Sequence, residues 1–340
     1  MSLSVTAVVV SYNRAGLLQQ CLDGIAGLTR QPDRVIVIDN ASTDDAVAVA
    51  RRHALHPEIT VLSRNVGGAG GFCAGIARAL DSVAPGTANR RNAGDGHFIW
   101  LMDDDTVPTP MALEALLAAA NEARALNGVW PAALGSRALW IDGREHLMNK
   151  PRPRTWRALG ARELRQSAGA FQVRSLSFVS CLINARMIAS ARVLPRAAYF
   201  LWNDDYEYTT KLLKNATGYY VPASRVVHKT KVFGSSDADP GERFFFEVRN
   251  KLWILRFSRR NFTAAEYAEL VLKTLRRWVL TGWRSKNRPL IVDCLKRGLR
   301  EGFAGRPADN AELLAGNPDV VAAVNAVESG ASESGAVKIG

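Results

Sequence analysis

The chain has 340 residues, of which 47% are hydrophobic, and it carries a net charge of +12 at pH 7. The apolar share is ordinary for a globular protein, and the length is sufficient for one large domain or two small ones. No apolar run approaches the roughly 20 residues that a membrane-spanning helix needs, which argues against such a helix. The four cysteines are far apart and lack metal-site spacing, so we expect a reducing compartment without a disulfide framework.

The first 130 residues alternate between short apolar runs and segments with helical spacing. Strands are predicted at 5–10, 34–38, 59–62 and 98–102, and helices at 15–28, 42–52, 72–83 and 110–126. In the last of these helices Thr109 is the predicted N-cap, and Pro110 occupies the first helical position. Strands that alternate with helices predict an α/β fold with a doubly wound, mostly parallel sheet flanked by helices.

Beyond residue 130 the alternation weakens. Further strands are predicted at 178–183 and 219–221, a basic helix at 262–280, and surface loops at 84–96 and 150–165. From about residue 304 the chain is rich in Ala, Gly, Ser and Glu, and this composition predicts a disordered tail.

The positive charge is concentrated near the C-terminus. Residues 249–300 contain 14 Lys and Arg against 3 acidic residues, whereas residues 301–340 contain 2 against 6. Trp253, Trp278 and Trp283 are interleaved with these arginines, a mixture that suits the interface of an anionic membrane. The alternative is a helical subdomain that packs its aromatic residues on the core and exposes its charges. No nucleic-acid recognition motif accompanies the charge, so we expect no nucleic-acid partner.

Three consecutive carboxylates follow the strand predicted at 98–102. Asp103, Asp104 and Asp105 would lie at the carboxyl end of this strand, where open α/β sheets bind ligands. Adjacent carboxylates repel one another unless a cation neutralises them, and Mg²⁺ or Mn²⁺ commonly shares such oxygen ligands with a phosphate. The triplet indicates either a metal–diphosphate site or a solvated acidic turn before a helix.

Two features nearer the N-terminus are compatible with a nucleotide. Asp39 ends the second predicted strand, where its carboxylate could accept hydrogen bonds from a base or ribose, although residues of this turn also suit helix capping. The glycine block 67–71 could let a nucleotide approach the backbone, or it could simply form a tight strand-to-helix turn. Its spacing is not that of a dinucleotide-binding motif.

A second acidic cluster follows about a hundred residues after the first. One carboxylate among Asp204, Asp205 and Glu207 could act as a general base on a hydroxyl. The alternative is the acidic first turn of a helix over 205–214. His228 becomes a candidate third metal ligand if the first cluster binds a metal.

In their order along the chain, these motifs resemble the family 2 inverting glycosyltransferases with a GT-A fold. The resemblance is carried by the blocks 8–14, 37–40, 64–72, 100–105 and 202–207 together with His228. Within this family, the glycine block, the segment 239–246 and the pair Arg249-Asn250 are most similar to bacterial galactofuranosyltransferases, especially the one that initiates mycobacterial cell-wall galactan. Rhamnosyltransferases share most of the remaining motifs.

The resemblance implies a role for each matching residue. The nucleotide-sugar donor is expected to contact Tyr12, Arg14, Asp39, Asn65, Gly67, Gly68 and Asp104. A divalent cation, Mn²⁺ or Mg²⁺, is expected on Asp103, Asp105 and His228. Asp205 is the expected catalytic base, with Asp204 left open as the alternative, and the acceptor is expected to contact Trp202, Asp204 and Glu207.

The resemblance also implies substrates, location and domain organisation. We expect UDP-galactofuranose as donor, with dTDP-rhamnose as the alternative, and a polyprenyl-diphosphate-linked saccharide as acceptor. The enzyme is expected in the cytoplasm, on the inner face of the plasma membrane. The chain would begin with a GT-A catalytic domain over 1–258, divided near residue 130 into a nucleotide-binding half and an acceptor half. A basic amphipathic helical segment at 259–303 and the tail at 304–340 would follow.

Overall fold

The computed structural model of the protein describes residues 3–81, 96–154, 163–233 and 239–329. Most of the predicted loop at 84–96, half of the predicted loop at 150–165 and the last part of the predicted tail lie outside these residues.

Ten strands form one mixed sheet in the described part of the chain. They are β1 (Ser4–Ser11), β2 (Arg34–Asp39), β3 (Glu58–Val61), β4 (His97–Asp103), β5 (Thr106–Pro108), β6 (Ala133–Leu139), β7 (Arg152–Pro153), β8 (Phe171–Ser175), β9 (Cys181–Asn184) and β10 (Gly218–His228). Their order is β3-β2-β1-β4-β9-β6-β10-β8-β7, and β5 also pairs with β10. β1 to β4 are parallel, as predicted, whereas β9 is antiparallel to both β4 and β6.

Helices cover both faces of this sheet. They are α1 (Ala15–Ala26), α2 (Ala46–Arg52), α3 (Gly67–Asp81), α4 (Ala112–Asn127), α5 (Ala185–Ala191), α6 (Asp204–Leu212), α7 (Phe244–Phe257), α8 (Ala264–Arg284), α9 (Arg288–Ala304), α10 (Asn310–Leu313) and α11 (Pro318–Glu328). Successive strand residues point to opposite faces, so Val8 and Ile38 pack in the cluster of α3, while Val9 and Val37 pack in that of α1 and α4. The segments that follow β1, β2 and β4 consequently meet at one edge of the sheet.

The glycine block belongs to α3 rather than preceding it, so the predicted start near residue 72 was wrong. Gly67 has a φ of +74°, and a Cβ there would lie 2.0 Å from the carbonyl oxygen of Phe200. A Cβ on Gly71 would lie 2.4 Å from Cγ1 of Val10 on β1. The glycines are therefore required because the first turns of α3 contact both the sheet and the segment around residue 200.

Two other predicted boundaries near β10 were also wrong. α4 begins at Ala112, because Thr109 donates its backbone N–H and its hydroxyl to the carbonyl of Arg225 instead of capping the helix. β10 is 11 residues long although only 219–221 was predicted. Its register shifts between Val221 and Arg225, next to Pro222, and this irregularity disguises the strand in the sequence.

The prediction of a disordered tail from residue 304 is wrong as far as residue 329, where the described part of the chain ends. α10 and α11 lie within it, and Val320, Ala323 and Val324 of α11 are buried in the cluster that contains α3. These residues recur at helical spacing. The Ala-rich composition therefore indicated disorder, but the small side chains let α11 pack closely on its neighbour.

The predicted boundary at residue 258 falls inside a packed unit. Phe244 and Val248 of α7 share a hydrophobic cluster with Ile291 and Cys294 of α9. Gly298 and Gly302 of α9 face α7 so closely that a Cβ on either would lie 2.7 Å and 2.6 Å, respectively, from a side chain of that helix. The division of residues 1–258 near residue 130 remains a prediction.

The three tryptophans of the basic segment lie in different environments. Trp253 is buried and Trp278 packs against the α7–α9 cluster, whereas Trp283 is 67% exposed. Aromatic packing on the core, the alternative raised by the sequence, therefore applies to the first two. No helix in the described ranges is both long and apolar enough to cross a bilayer.

Candidate active site

A cleft of about 1060 Å³ opens at the carboxyl ends of β1, β4 and β10. It is lined by eight of the predicted site residues: Arg14, Gly68, Asp103, Asp105, Trp202, Asp204, Asp205 and His228. The structure thus places both acidic clusters on one cavity. Six predicted site residues are not part of the lining: Tyr12, Asp39, Asn65, Gly67, Asp104 and Glu207.

Asp104 supports the loop that follows β1. Its carboxylate accepts hydrogen bonds from the hydroxyl of Ser11 (3.0 Å), the backbone N–H of Tyr12 (3.1 Å) and the guanidinium of Arg14 (3.2 Å). Burial raises the pKa of Asp104 to about 6, although these partners favour its ionised form. These contacts hold Asp104 against the β1 loop, and its predicted contact with the donor stays a prediction.

Asp105 pairs with two basic side chains that lie at neighbouring strand ends. Arg14 donates to its Oδ2 at 2.8 Å, and Nε2 of His228 lies 3.3 Å from its Oδ1. Nδ1 of His228 is 2.9 Å from the side-chain oxygen of Asn149, which orients the ring. Burial opposes ionisation of Asp105, but His228 and Arg14 together keep its pKa below the usual value.

The first cluster fits a divalent cation in its chemistry. Burial, together with the charges of Asp105 and Asp104, raises the pKa of Asp103 well above the usual value, so a cation in this position would relieve repulsion. Oδ1 of Asp105 is buried; its contact with His228 at 3.3 Å is an ion pair, and no hydrogen-bond donor reaches it within the described residues. Within the described residues, however, no three His, Cys, Asp or Glu side chains are already arranged around a metal position, since Arg14 bridges Asp104 and Asp105.

The ends of β2 and the start of α3 place the other predicted donor residues. Asp39 is 1% exposed; its Oδ2 accepts from the backbone of Ser42, whereas its buried Oδ1 has no hydrogen-bond partner in the part of the chain that the structure describes. Such an unsatisfied oxygen is suited to a donor group of a ligand. Asn65 accepts from the N–H of Gly67 and so shapes the start of α3.

Asp204 and Asp205 open α6 and differ in their ionisation. Burial and the charge of Asp205 raise the pKa of Asp204 to about 8, so Asp204 is protonated at neutral pH. Burial also raises the pKa of Asp205, but hydrogen bonds from the backbone of Tyr206 (2.6 Å) and from Ser177 favour its carboxylate. Of the two residues that the sequence left open, Asp205 is therefore the better base.

Glu207 is not among the residues that line the cleft, and its predicted contact with the acceptor stays a prediction. It is 3% exposed, and its Oε1 accepts from the hydroxyl of Ser258 at 2.6 Å. Asn261 also donates to its backbone carbonyl. Glu207 consequently connects α6 to the segment that follows α7.

The segment that leads into Asp204 has an unusual backbone. Phe200, Trp202 and Asn203 all have positive φ angles, of 60°, 66° and 68°, although none of them is glycine. Positive φ costs free energy in residues that carry a side chain, and such strain persists only where the surroundings impose it. The two carboxylates therefore depend on whatever holds residues 200–203 in place.

Asn250 of α7 supplies most of that support. It is fully buried, and its side-chain amide donates to three backbone carbonyls, those of Tyr199 (2.9 Å), Leu201 (2.9 Å) and Trp202 (2.8 Å). Arg249 donates to the carbonyls of Ala198 and Tyr199. The resemblance singled out Arg249-Asn250 without a role for either residue, and the partners of this pair become visible only in the folded chain.

Comparison with known proteins identifies the family. The Glycosyl transferase family 2 model matches residues 6–188. Galactofuranosyltransferase GlfT1 of Mycobacterium tuberculosis is 31% identical over 273 residues, covering 75% of this chain and 83% of that protein. GlfT1 of Mycolicibacterium smegmatis is 27% identical over 216 residues, covering 62% and 66%. The chain belongs to glycosyl transferase family 2 and is a glycosyltransferase.

Solved structures define the fold. Residues 1–349 of S. aureus TarS superpose with a TM-score of 0.56 at 16% identity, covering 96% of this chain and 90% of that one. The complex of the same protein with UDP-GlcNAc gives a TM-score of 0.55 at 15% identity, covering 96% and 91%. The predicted GT-A fold is confirmed.

Proposed function

We propose that this glycosyltransferase transfers galactofuranose from UDP-galactofuranose to a saccharide linked to a polyprenyl diphosphate, in the synthesis of a cell-wall or surface polysaccharide. The similarity to mycobacterial galactofuranosyltransferases over most of the chain supports the donor assignment. Asp239 and Arg243, from the segment that resembles that branch, also line the cleft.

The observation that carries this proposal is the presence of two acidic clusters with different chemistry on one cleft. Asp103 and Asp105 lie with His228 at the strand ends, where their oxygens suit a cation–diphosphate pair. Burial raises the pKa of Asp204 to about 8 and that of Asp205 above its usual value, while hydrogen bonds from Tyr206 and Ser177 favour the carboxylate of Asp205. A leaving diphosphate and an attacking hydroxyl can thus be accommodated together.

The reaction is a single displacement. Asp205 accepts the proton of the acceptor hydroxyl while that oxygen forms a bond to the anomeric carbon of the donor sugar. The bond from this carbon to the diphosphate oxygen breaks, and the electron pair leaves with the nucleoside diphosphate. Because the oxygen attacks from the face opposite the leaving group, the configuration inverts and an α-linked donor yields a β-glycoside.

Asp103, Asp105 and His228 are the residues that would bind Mn²⁺ or Mg²⁺. When bound, such an ion supplies neutralisation of the negative charge on the departing diphosphate. Arg14 pairs with Asp105 and lines the same cleft, so its guanidinium would also be available to the donor phosphates.

Two substitutions separate the roles of the clusters. Asp205→Asn is expected to lower transfer by roughly 100-fold or more, because it removes the base, while UDP binding measured by calorimetry stays unchanged. Asp105→Ala is expected to abolish the gain in UDP affinity that Mn²⁺ produces. Near-normal turnover of Asp205→Asn would refute the assignment of the base, and a retained Mn²⁺ effect in Asp105→Ala would refute the metal site.

A donor screen tests the sugar. The purified protein, Mn²⁺ and a synthetic lipid-linked rhamnosyl-GlcNAc acceptor are incubated separately with UDP-galactofuranose and dTDP-rhamnose, and the products are weighed by mass spectrometry. We expect hexose addition from the first donor only. Deoxyhexose addition from the second would move the enzyme to the rhamnosyltransferase branch and leave the base and metal assignments standing.

The outer face of α8 supports a membrane-bound location. Four large apolar side chains recur there every three or four residues and are 52–71% exposed: Leu272, Leu275, Val279 and Trp283. They lie opposite the buried face that contains Leu270. Exposed lysines and arginines accompany this stripe, including Lys273, Arg284 and Lys286. An apolar stripe beside cations is complementary to an anionic bilayer surface, which we propose as its partner.

Vesicle sedimentation tests this surface. Because α9 packs on α7, point substitutions are preferable to deletion of the segment. The double variant Leu275→Ser and Val279→Ser is expected to lose most binding to phosphatidylglycerol vesicles. Val292→Ser, at another exposed apolar position, on α9, should retain it. Equal binding of both variants would eliminate the stripe as the membrane contact.

A further inference from the structure

The wall of the cleft formed by α7 and α8 carries cations that the transfer step does not use. Lys251 of α7, Arg277 of α8 and Arg243 just before α7 all line the cavity. Glu247 shares this wall, but one of its oxygens accepts from Asn203 at 2.9 Å and the other lies 3.8 Å from Arg277. Asp239 accepts from Ser285 and from the backbone of Lys286. Both carboxylates of the wall therefore already contact protein groups.

Lys251 is the unusual member of this group. Its ammonium lies 4.5 Å from the ring centre of Tyr206, the residue after Asp205. Within residues 3–81, 96–154, 163–233 and 239–329, this ammonium has neither a hydrogen bond nor an ion pair. Burial lowers its pKa, with only partial compensation by Glu247 and Asp205. A partly buried cation without a counter-ion is costly, and an anionic ligand would remove that cost.

The position of Lys251 distinguishes this anion from the donor diphosphate. The charges that act on Asp103 come from Asp105, Asp104, Asp204 and Arg14, which all belong to the strand-end side of the cleft or to the start of α6. Those that act on Lys251 come from Glu247, Arg277, Asp205 and Arg152. Lys251 also lies beside Tyr206, the residue after Asp205, and therefore on the Asp205 side of the cleft, where the proposed function puts the acceptor hydroxyl.

The neighbouring helix indicates what the anion is attached to. Arg277 lines the cleft, while Leu275 and Val279, two positions away on either side, are exposed on the outer face of α8. A helix with its side chains is only about 10–12 Å in diameter. An anionic group at Lys251 and Arg277 is thus within one helix diameter of the apolar stripe.

We propose that Lys251, with Arg277 and Arg243, binds the diphosphate that joins the acceptor saccharide to its lipid. This assignment rests on the proposed function, because it takes Asp205 as the base at the sugar end of the acceptor. The acceptor then lies with its hydroxyl at Asp205, its diphosphate at the three cations and its apolar chain along the outer face of α8. The enzyme should prefer an acceptor with a diphosphate to one with a neutral linkage, because ion pairs with these cations are stronger where the cleft wall excludes part of the water.

Two synthetic acceptors with the same saccharide and the same short alkyl chain test the proposal without a membrane. One carries the alkyl group through a diphosphate, and the other is a neutral alkyl glycoside. For the wild type we expect a lower KM for the diphosphate acceptor. Lys251→Met, which keeps the aliphatic stem, should raise that KM about tenfold or more, with the KM of the neutral acceptor and of the donor unchanged.

Lys296→Met is the matched control, because Lys296 is an exposed lysine of α9 outside the cleft lining. It should change neither KM, and Arg277→Met should reproduce the selective effect of Lys251→Met. If Lys251→Met changed the KM of both acceptors equally, or changed neither, the diphosphate assignment would be overturned. The proposed function would still stand, provided that the enzyme transferred sugar to the neutral acceptor. Absence of transfer to either acceptor by the wild type would instead overturn the proposed function and this inference with it.

Discussion

The two acidic clusters of the cleft occupy one cavity but are supported in different ways. Asp103 ends β4, a central strand that pairs in parallel with β1, and Asp105 lies two residues beyond it. Their surroundings come from neighbouring strand ends, namely Arg14 after β1 and His228 at the end of β10. Regular sheet geometry therefore places the first cluster, and several contacts share the support.

Asp204 and Asp205 depend on irregular backbone. They follow a segment in which Phe200, Trp202 and Asn203 have positive φ angles, and one side chain, Asn250, contacts three carbonyls of that segment. The first cluster, which several contacts support, should therefore tolerate the loss of any one of them. The second cluster should be sensitive to a single substitution at Asn250.

Asn250→Ala should give the largest effect. It removes the Asn250 donor from the carbonyls of Leu201 and Trp202, while that of Tyr199 keeps Arg249. This loss costs about 2–3 kcal/mol of unfolding free energy, and the relaxation of residues 200–203 moves Asp205. Misplacement of a catalytic group by about 1 Å can cost roughly 100-fold in turnover. We therefore expect kcat to fall by that order while UDP binding, which uses the first cluster, remains unchanged.

Asn261→Ala is the control for this variant. Asn261 is also buried and donates to a carbonyl of α6, that of Glu207, and within the described residues its side chain makes no hydrogen bond to residues 199–203. It should lose stability with little loss of kcat. If both variants lost kcat in proportion to stability, Asn250 would have no special role in positioning Asp205.

Gly67 and Gly68 offer a test of the contact between α3 and the irregular segment. A Cβ on Gly67 would overlap the carbonyl of Phe200, and the backbone at this position has a positive φ. Gly67→Ala should therefore lower the free energy of unfolding by about 2–3 kcal/mol. A Cβ on Gly68 meets no atom within 4 Å, so Gly68→Ala should fold normally. Because Gly68 lines the cleft, its variant should instead weaken donor binding. Similar melting temperatures for both variants would contradict the proposed contact.

The pH dependence of transfer reports the second cluster. The base must be ionised, and burial raises the pKa of Asp205, so kcat/KM should fall about tenfold per pH unit below a midpoint that lies above the usual value of an aspartate. The positive charge of Lys251 opposes this shift. Lys251→Met should consequently move the acidic limb to higher pH, and an unmoved limb would exclude Asp205 as the titrating group.

The sequence predicts the first half of the site better than the second for a physical reason. Strand periodicity identifies β1, β2 and β4, and a parallel sheet brings their carboxyl ends together, so Asp39, Asp103 and Asp105 could be assigned to one edge. No comparable rule fixes how α6 is rotated. Its first residue follows Asn203 at positive φ, a conformation that depends on Asn250 nearly fifty residues later, so the inward direction of Glu207 could not be foreseen.

The C-terminal helices illustrate the same limit. The composition of residues 304–340 resembles that of disordered segments, yet α11 is buried against α3 because Val320, Ala323 and Val324 share a face. The composition of a weakly apolar helix does not decide whether the helix packs against the rest of the protein. The shape of its partner decides this, and here the partner is the glycine-rich helix α3.

Ser11→Ala should give the smallest effect, and it tests the support of the first acidic cluster. The substitution removes one of the hydrogen bonds to Asp104, which costs about 1.5–2 kcal/mol for a charged acceptor, and it raises the pKa of Asp104 further. Tyr12 and Arg14 still contact the same carboxylate, so UDP affinity should fall only about threefold. Ser224→Ala, which removes another fully buried hydroxyl with two partners, should match the loss of stability with no change in UDP affinity. A loss of UDP affinity in Ser11→Ala as large as the loss of kcat in Asn250→Ala would show that the first cluster also depends on a single contact.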